Sequence, residues 1–300
     1  MKFFIYFVVL PLVGFGFTFV SNAEKSEIIE PVTQLEKLAE GFLFTEGPTS
    51  DTNGNIYFTD QPNDRIMVWS VADELSTFLQ PCGRSNGLSF DNEGTLWACA
   101  DEKNEFWQID SRKKVTVVPL KYEVKLLNGP NDLWINGEGG IYFTDPYYQK
   151  PWWTHTSMPQ DIQGVYYLGP DHKTLTRVIN DLVQPNGIVG TPDGKTLFVA
   201  DIGGNKTWSY TINKDHSLCN KTLFCEMGSD GMTIDTEGNI YLTGNGVTIF
   251  DRNGNQTAHI SVPESWTANV CFGGTDMKSL FITASKGLYR IRTSVNGTKG

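Results

Sequence analysis

The segment DTNGNIYFTD at residues 51–60 is the first copy of a repeated unit from which the fold can be predicted. It is typical of a tight turn, set by Asp51 and Gly54, that leads into an alternating strand ending in a carboxylate. The same pattern recurs as DNEGTLWACAD (91–101), NGEGGIYFTD (136–145), TPDGKTLFVAD (191–201), DTEGNIYLTGN (235–245) and the weaker TDMKSLFITAS (275–285). Repetition of one strand-turn unit indicates a repeat architecture.

The spacing of the copies identifies the repeated unit. Successive copies lie 40, 45, 55, 44 and 39 residues apart, measured between Gly54, Gly94, Gly139, Gly194, Gly238 and Met277. This spacing is too long for a hairpin and fits one four-stranded blade of a β-propeller. An antiparallel sandwich also contains such turns, but without near-constant spacing. We therefore predict an all-β, six-bladed propeller whose segment 34–44 completes the last blade and closes the ring.

Composition and charge agree with this fold and exclude some partners. The 300 residues are 39% hydrophobic and 12% aromatic, with 30 glycines and 14 prolines, which favours a large core and many turns. The formal net charge of −10 repels phosphate backbones and anionic lipids. We expect a small-molecule partner and no nucleic acid, and the sequence leaves the oligomeric state open.

The N-terminus has the layout of a secretory signal peptide. Lys2 precedes an apolar run over residues 3–20, and Ser21-Asn22-Ala23 forms a small-residue cleavage site. We predict a signal peptide at 1–23 and one propeller domain at 24–300, exported to the periplasm or secreted, without a membrane anchor after cleavage. A retained anchor is the alternative. Of the five cysteines, Cys219 and Cys225 either close a small loop or, like the others, are buried thiols.

Polar side chains recur at one fixed position of the repeat. Eight residues before each turn position stand Glu46, Asn86, Asn131, Asn186, Asp230 and Asn269. Because the first strand of a propeller blade lines the central channel, these side chains should form a ring at one mouth. Local capping of strands is the alternative explanation. Oxygen donors with two carboxylates suit a hard divalent cation, calcium first, with magnesium, manganese or zinc as substitutes.

Around these positions the sequence resembles the gluconolactonases and senescence marker protein (regucalcin), a family of calcium-dependent six-bladed propellers. The resemblance is carried by TEGP (45–48), SNGL (85–88), NDL (131–133), PNGI (185–188), SDGM (229–232) and NVCFGG (269–274). It implies hydrolysis of sugar or aromatic lactones, and some members act on organophosphates. The metal ligands that it implies are Glu46, Asn131, Asn186 and Asp230.

The resemblance also implies a mechanism. Calcium would polarise the lactone carbonyl while Asp230, as the carboxylate base, activates water. Asn86, Asn128 and Asn269 are then expected to bind substrate hydroxyls. An alternative is a non-hydrolytic propeller: a sugar-binding protein, or a lyase or isomerase that uses the same metal.

Departures from the family pattern leave the lactone open. Many gluconolactonases end the second strand of blade 2 with Cys-Glu-His, where this chain has Cys99-Ala100-Asp101, so Asp101 is a candidate substrate contact. The regucalcin type has an arginine where Gly129 stands. The aromatic insertion 146–163 lengthens the third repeat and offers Tyr147 and His155 as further contacts, either as a lid or as a self-packed loop.

One motif points to a different chemistry. Residues 83–87 match the G-x-S-x-G nucleophile elbow around Ser85. That elbow requires a strand followed by a helix, whereas the repeat places Ser85 at the start of a channel-lining strand. We therefore interpret the match as coincidental.

Overall fold

The computed structural model describes residues 28–29 and 34–298, which are almost entirely β-strands and turns. Their strands form six antiparallel sheets of four, arranged as the blades of a ring. The predicted six-bladed β-propeller is confirmed. The predicted signal peptide lies outside the described residues, among which no helix is long and apolar enough to cross a membrane.

Each blade is an antiparallel meander, except that the last takes its outer strand from the start of the chain. Blades 1 to 3 consist of β2 (Thr45–Ser50), β3 (Ile56–Asp60), β4 (Arg65–Trp69) and β5 (Leu75–Leu79); β6 (Ser85–Phe90), β7 (Leu96–Ala100), β8 (Glu105–Ile109) and β9 (Val115–Val118); and β10 (Leu133–Ile135), β11 (Ile141–Asp145), β12 (Gly164–Leu168) and β13 (Leu175–Ile179). Blades 4 to 6 consist of β14 (Pro185–Gly190), β15 (Thr196–Asp201), β16 (Lys206–Ile212) and β17 (Leu218–Cys225); β18 (Met232–Ile234), β19 (Ile240–Gly244), β20 (Gly246–Phe250) and β21 (Gln256–Ile260); and β22 (Thr267–Gly273), β23 (Ser279–Ala284), β24 (Gly287–Arg292) and β1 (Glu36–Glu40). A 3-10 turn, Gln61–Asn63, follows β3.

The ring is closed by pairing the two ends of the domain. Strand β1 runs antiparallel to β24, with Glu36 opposite Arg290. The Arg290 guanidinium also binds the carboxylates of Glu36 at 2.8 Å and of Asp73 in blade 1 at 2.9 Å. The prediction that the N-terminal segment completes the last blade is confirmed, and β1 covers the edge of β24.

The repeated turn joins the first and second strands of every blade. In blade 1 one carboxylate oxygen of Asp51 accepts the backbone N–H groups of Asn53 and Asn55, both at 2.9 Å, and fixes the turn locally. The turn position has φ +89° at Gly54, and Met277 keeps this left-handed conformation at φ +55°. The copy in blade 6 therefore folds like the others despite lacking glycine, at a cost of about 1 kcal/mol.

The hydrophobic core fills the spaces between neighbouring blades. Tyr142 of blade 3, for example, packs in one cluster with Val189 and Phe198 of blade 4. Burial of each such side chain stabilises the fold by roughly 1.5–3 kcal/mol, so the blades hold one another in place. Four of the five cysteines are buried in these clusters and all five are free, which favours buried thiols over a Cys219–Cys225 disulfide.

Candidate active site at the channel mouth

The channel-lining strands are irregular where the polar ring was predicted. The pairing of first and second strands is interrupted next to Glu46, at Asn86 and at Asn186. In blades 3 and 5 the first strand begins only after Asn131 and Asp230. A break in the ladder releases a residue from regular alternation and re-aims its side chain. These five residues are thus free to turn towards the mouth.

Glycines set the close approach of the blades at this mouth. The Gly87 N–H donates to the Asn131 carbonyl at 2.8 Å, and a Cβ at Gly87 would lie 2.5 Å from the same oxygen. At Gly231 a Cβ would lie 1.9 Å from Cγ of Asn269. Because neither position has room for a side chain, ring residues of neighbouring blades come into contact.

The predicted metal ligands meet around Asp230. Asn186 Nδ2 donates to Asp230 Oδ1 at 2.7 Å and to the Tyr148 hydroxyl at 2.9 Å. Glu46 is 3% exposed, one of its carboxylate oxygens accepts the N–H of the next residue, and its charge repels that of Asp230. Asn131 lines a narrow cleft together with Tyr148. The structure therefore brings the four side chains to one place, and their role as ligands stays a prediction.

The mouth is an acidic site in which the carboxylates outnumber the one nearby positive charge, that of Lys150. Burial, and then the charge of Asp230, raises the pKa of Glu46 well above its ordinary value. Burial raises the pKa of Asp230 to about 6 although hydrogen bonds and the charge of Lys150 lower it, and burial raises the pKa of Asp132 to about 7. A bound divalent cation would relieve this accumulation of buried negative charge.

The donor chemistry fits a hard cation. No three or more His, Cys, Asp or Glu side chains cluster around a point in the described part of the chain, so amides have to complete any metal site. Asn131 and Asn186 supply such amides beside Glu46 and Asp230, and the Asn131 side chain forms no hydrogen bond to another described residue. Carboxylate and amide oxygens together are the donors that calcium uses.

Trp266 contacts the predicted base directly and was missed by the sequence reasoning. Its Nε1 donates to Asp230 Oδ2 at 2.6 Å, while the Asn186 amide donates to Oδ1 of the same carboxylate. The Trp266 backbone N–H is held in turn by Ser285 Oγ at 3.1 Å. Both oxygens of Asp230 are thus oriented by donors from neighbouring blades. The available signal was an aromatic residue directly before the sixth channel strand.

Lys150 supplies the positive charge at the mouth and was also missed. It lies in the insertion, with Nζ 5.7 Å from the centre of the Tyr148 ring and 3.2 Å from Gln61 Oε1. Its charge lowers the pKa values of Glu46, Asp101 and Asp230 against the effect of burial. The Lys150 ammonium group therefore places a positive charge near these carboxylates.

The insertion 146–163 is fastened over the cleft. Asn128 is fully buried, its Nδ2 donating to the Ile162 carbonyl at 2.8 Å and its Oδ1 accepting the Gln160 N–H at 3.0 Å. Trp153 Nε1 donates to the Asp101 carbonyl at 2.7 Å. The insertion is therefore packed on the mouth as a cover. In this structure Asn128 holds that cover, and its contact with substrate stays a prediction.

Comparison with known proteins identifies the family. Residues 44–286 match the sequence pattern of the SMP-30/gluconolactonase/LRE-like region. The chain belongs to the SMP-30/gluconolactonase family. A gluconolactonase of Zymomonas mobilis is 30% identical over 301 aligned residues, which cover 90% of this chain and 84% of that protein. The resemblance drawn from the sequence is thereby confirmed.

Solved structures of the SMP-30/gluconolactonase family share the fold. A gluconolactonase from Xanthomonas campestris superposes with a TM-score of 0.82 and 25% identity, covering 89% of this chain and 91% of its own. A calcium-binding protein, regucalcin, from Agrobacterium tumefaciens has a TM-score of 0.74 and 19% identity, covering 87% and 94%, and shows the fold alone.

The other substrate-binding residues predicted for this family member lie at different depths. Asn86 lines the cleft. Tyr147 and His155 pack on Trp153 at ring-centre distances of 5.6 and 4.7 Å, outside the residues that line the cleft. Asn269 lines the channel below the mouth. Asp101 lines the same cleft, so direct substrate contact is best supported by position for Asn86 and Asp101.

Ser85 does not have the setting of a nucleophile. It is fully buried at the start of β6, and its Oγ donates to the Cys82 carbonyl at 2.6 Å. The next element is the strand β7, where a nucleophile elbow would have a helix. Ser85 is thus part of the local turn structure, as the sequence reasoning expected.

Proposed function

We propose that this protein is a metal-dependent hydrolase of a sugar lactone or a related cyclic ester. The observation that carries the proposal is the meeting of two carboxylates, the buried Glu46 and the half-buried Asp230, with the amide of Asn186, beside a cleft that Asn131 lines. The relationship to a gluconolactonase at 30% identity over 90% of the chain supports the substrate class. We further propose calcium as the ion, with magnesium, manganese or zinc able to replace it.

The site residues divide the work of hydrolysis. When bound, the cation would polarise the lactone carbonyl and stabilise the charge that develops on its oxygen. Asp230, held by Asn186 and Trp266, removes a proton from water as the water oxygen bonds to the carbonyl carbon. The ring C–O bond then breaks and the proton passes from Asp230 to the departing ring oxygen. The product is one hydroxy acid per water consumed.

The covered cleft suits a reaction that orients its substrate. Asn86 and Asp101 line the cleft and offer hydrogen bonds to substrate hydroxyls. Trp153 lines the cleft, which has no room for a water molecule in this structure, so the insertion has to move aside to admit a lactone. From the sequence at Lys2 and Ala23 we also propose that the enzyme is exported and acts in the periplasm or outside the cell.

A lactone assay with controlled metal content tests the proposal. The purified protein should hydrolyse at least one lactone of a panel of sugar and aromatic lactones, lose this activity with a chelator, and regain it with calcium. Ser85→Ala is the matched control and should keep the activity. Activity that survives complete metal removal but is lost in Ser85→Ala would favour a serine nucleophile. If no lactone is hydrolysed with any of the four metals, the non-hydrolytic alternative is favoured.

A further inference from the structure

A hydrogen-bonded chain of three side chains borders the cleft beside the predicted metal ligands. Lys150 Nζ donates to Gln61 Oε1 at 3.2 Å, and Gln61 Nε2 donates to Asp101 Oδ2 at 3.0 Å. Gln61 and Asp101 are 2% and 3% exposed. Lys150 and Asp101 both line the cleft, whereas Gln61 connects them from behind. The two charged groups are therefore held at a fixed relative position.

Both ends of this chain keep bonding capacity for a ligand. The Lys150 ammonium has three N–H groups, of which one is used among the described residues. Asp101 Oδ1 accepts no hydrogen bond from a described residue, while Oδ2 is bound to Gln61. A donor and an acceptor thus border the same cleft. Neighbouring hydroxyls on a sugar ring present the complementary acceptor and donor.

We propose that Lys150 and Asp101, positioned by Gln61, form a subsite that recognises adjacent hydroxyl groups of a neutral polyhydroxylated lactone. The inference rests on the proposed function and names the substrate class of that site. Charge balance supports a ligand without negative charge. Glu46 and Asp230 balance a divalent cation and Asp101 balances Lys150, while Asp132 adds a further carboxylate. No positive charge in this set is left over for a phosphate group.

Two six-membered lactones, one with hydroxyl and hydroxymethyl groups and one without, test the subsite. In Lys150→Met, kcat/KM for D-glucono-1,5-lactone should fall about 10- to 100-fold, the value of a hydrogen bond to a charged group. For δ-valerolactone, which has no hydroxyls or hydroxymethyl group on the same size of ring, the loss should be at least about 10-fold smaller, because the two substrates share only the effect of the Lys150 charge on Asp230. Gln61→Met should raise KM for gluconolactone more than it lowers kcat. Lys206→Met removes a lysine that lies over the Trp208 ring, away from the cleft, and is the control for both substrates.

The outcomes separate this inference from the proposed function. Equal losses on both lactones would show that Lys150 acts through Asp230 or at the reacting carbonyl and not on the hydroxyls, and would overturn the subsite. A wild-type enzyme that prefers δ-valerolactone would overturn it as well. If neither lactone is hydrolysed, calorimetric binding of 1,5-anhydro-D-glucitol, which lacks the carbonyl, decides. Binding that Lys150→Met abolishes supports the subsite although the hydrolase proposal fails, and binding unaffected by that variant rejects it.

Discussion

Asp230→Asn is expected to lower kcat by about 10²-fold or more while the metal stays bound. Asparagine keeps the shape and one ligand oxygen, so one of the two donors, Asn186 or Trp266, keeps its acceptor, but the group can no longer take a proton from water. The measurement is kcat on a lactone that the wild type hydrolyses, with the metal content of the same sample determined by elemental analysis.

Two comparisons make this result decisive. Asp230→Ala removes the ligand oxygen as well, so both metal content and activity should be lost. Asp193→Asn changes an exposed turn carboxylate and should leave both unchanged. Full kcat in Asp230→Asn would assign the proton transfer to another group. Full metal occupancy in Asp230→Ala would remove Asp230 from the set of ligands.

Glu46→Gln is expected to raise the stability of the metal-free protein and to weaken its binding of the metal. Without metal, burial raises the pKa of Glu46, so the folded protein binds more protons than the unfolded chain and loses stability as the pH rises above the ordinary carboxyl range. Glutamine removes this loss, so the Tm measured with a chelator near pH 8 should rise. With metal, the missing charge should weaken calcium affinity by at least about 100-fold. This is the upper end of the loss seen when a residue that only hydrogen-bonds to a metal ligand is replaced.

Both effects are measured as changes in Tm, by thermal unfolding of the same protein sample with chelator and with calcium. Glu93→Gln, at an exposed turn position, is the control and should shift neither Tm. A lower Tm for Glu46→Gln in chelator would mean that the Glu46 carboxylate stabilises the metal-free fold, against the electrostatics described above. An unchanged calcium affinity would show that the ion is bound elsewhere.

The blade count was predictable because the turn chemistry is local. Asp51 binds N–H groups within four residues of itself, and the left-handed turn position falls at the same place in each copy, at Gly54 as at Met277. Such contacts leave a pattern that recurs along the chain. The ring position could be predicted for the same reason, since a fixed offset from the turn carries each side chain to the channel.

The rest of the site depends on contacts between distant segments. Gln61 and Lys150 meet across 89 positions of sequence, and Trp266 reaches Asp230 across 36. Neither pair belongs to the repeat, because Lys150 comes from the insertion that only blade 3 carries. Their meeting follows from ring closure and from how the insertion packs, so sequence spacing gave no sign of it.

The most direct test of the account is the position of the ion in a crystal structure of the calcium-loaded protein, located by anomalous scattering. We expect one ion at this mouth, bound at about 2.3–2.6 Å by side-chain oxygens of Glu46, Asn131, Asn186 and Asp230. An ion bound at other residues, or a mouth without an ion at saturating calcium, would contradict it.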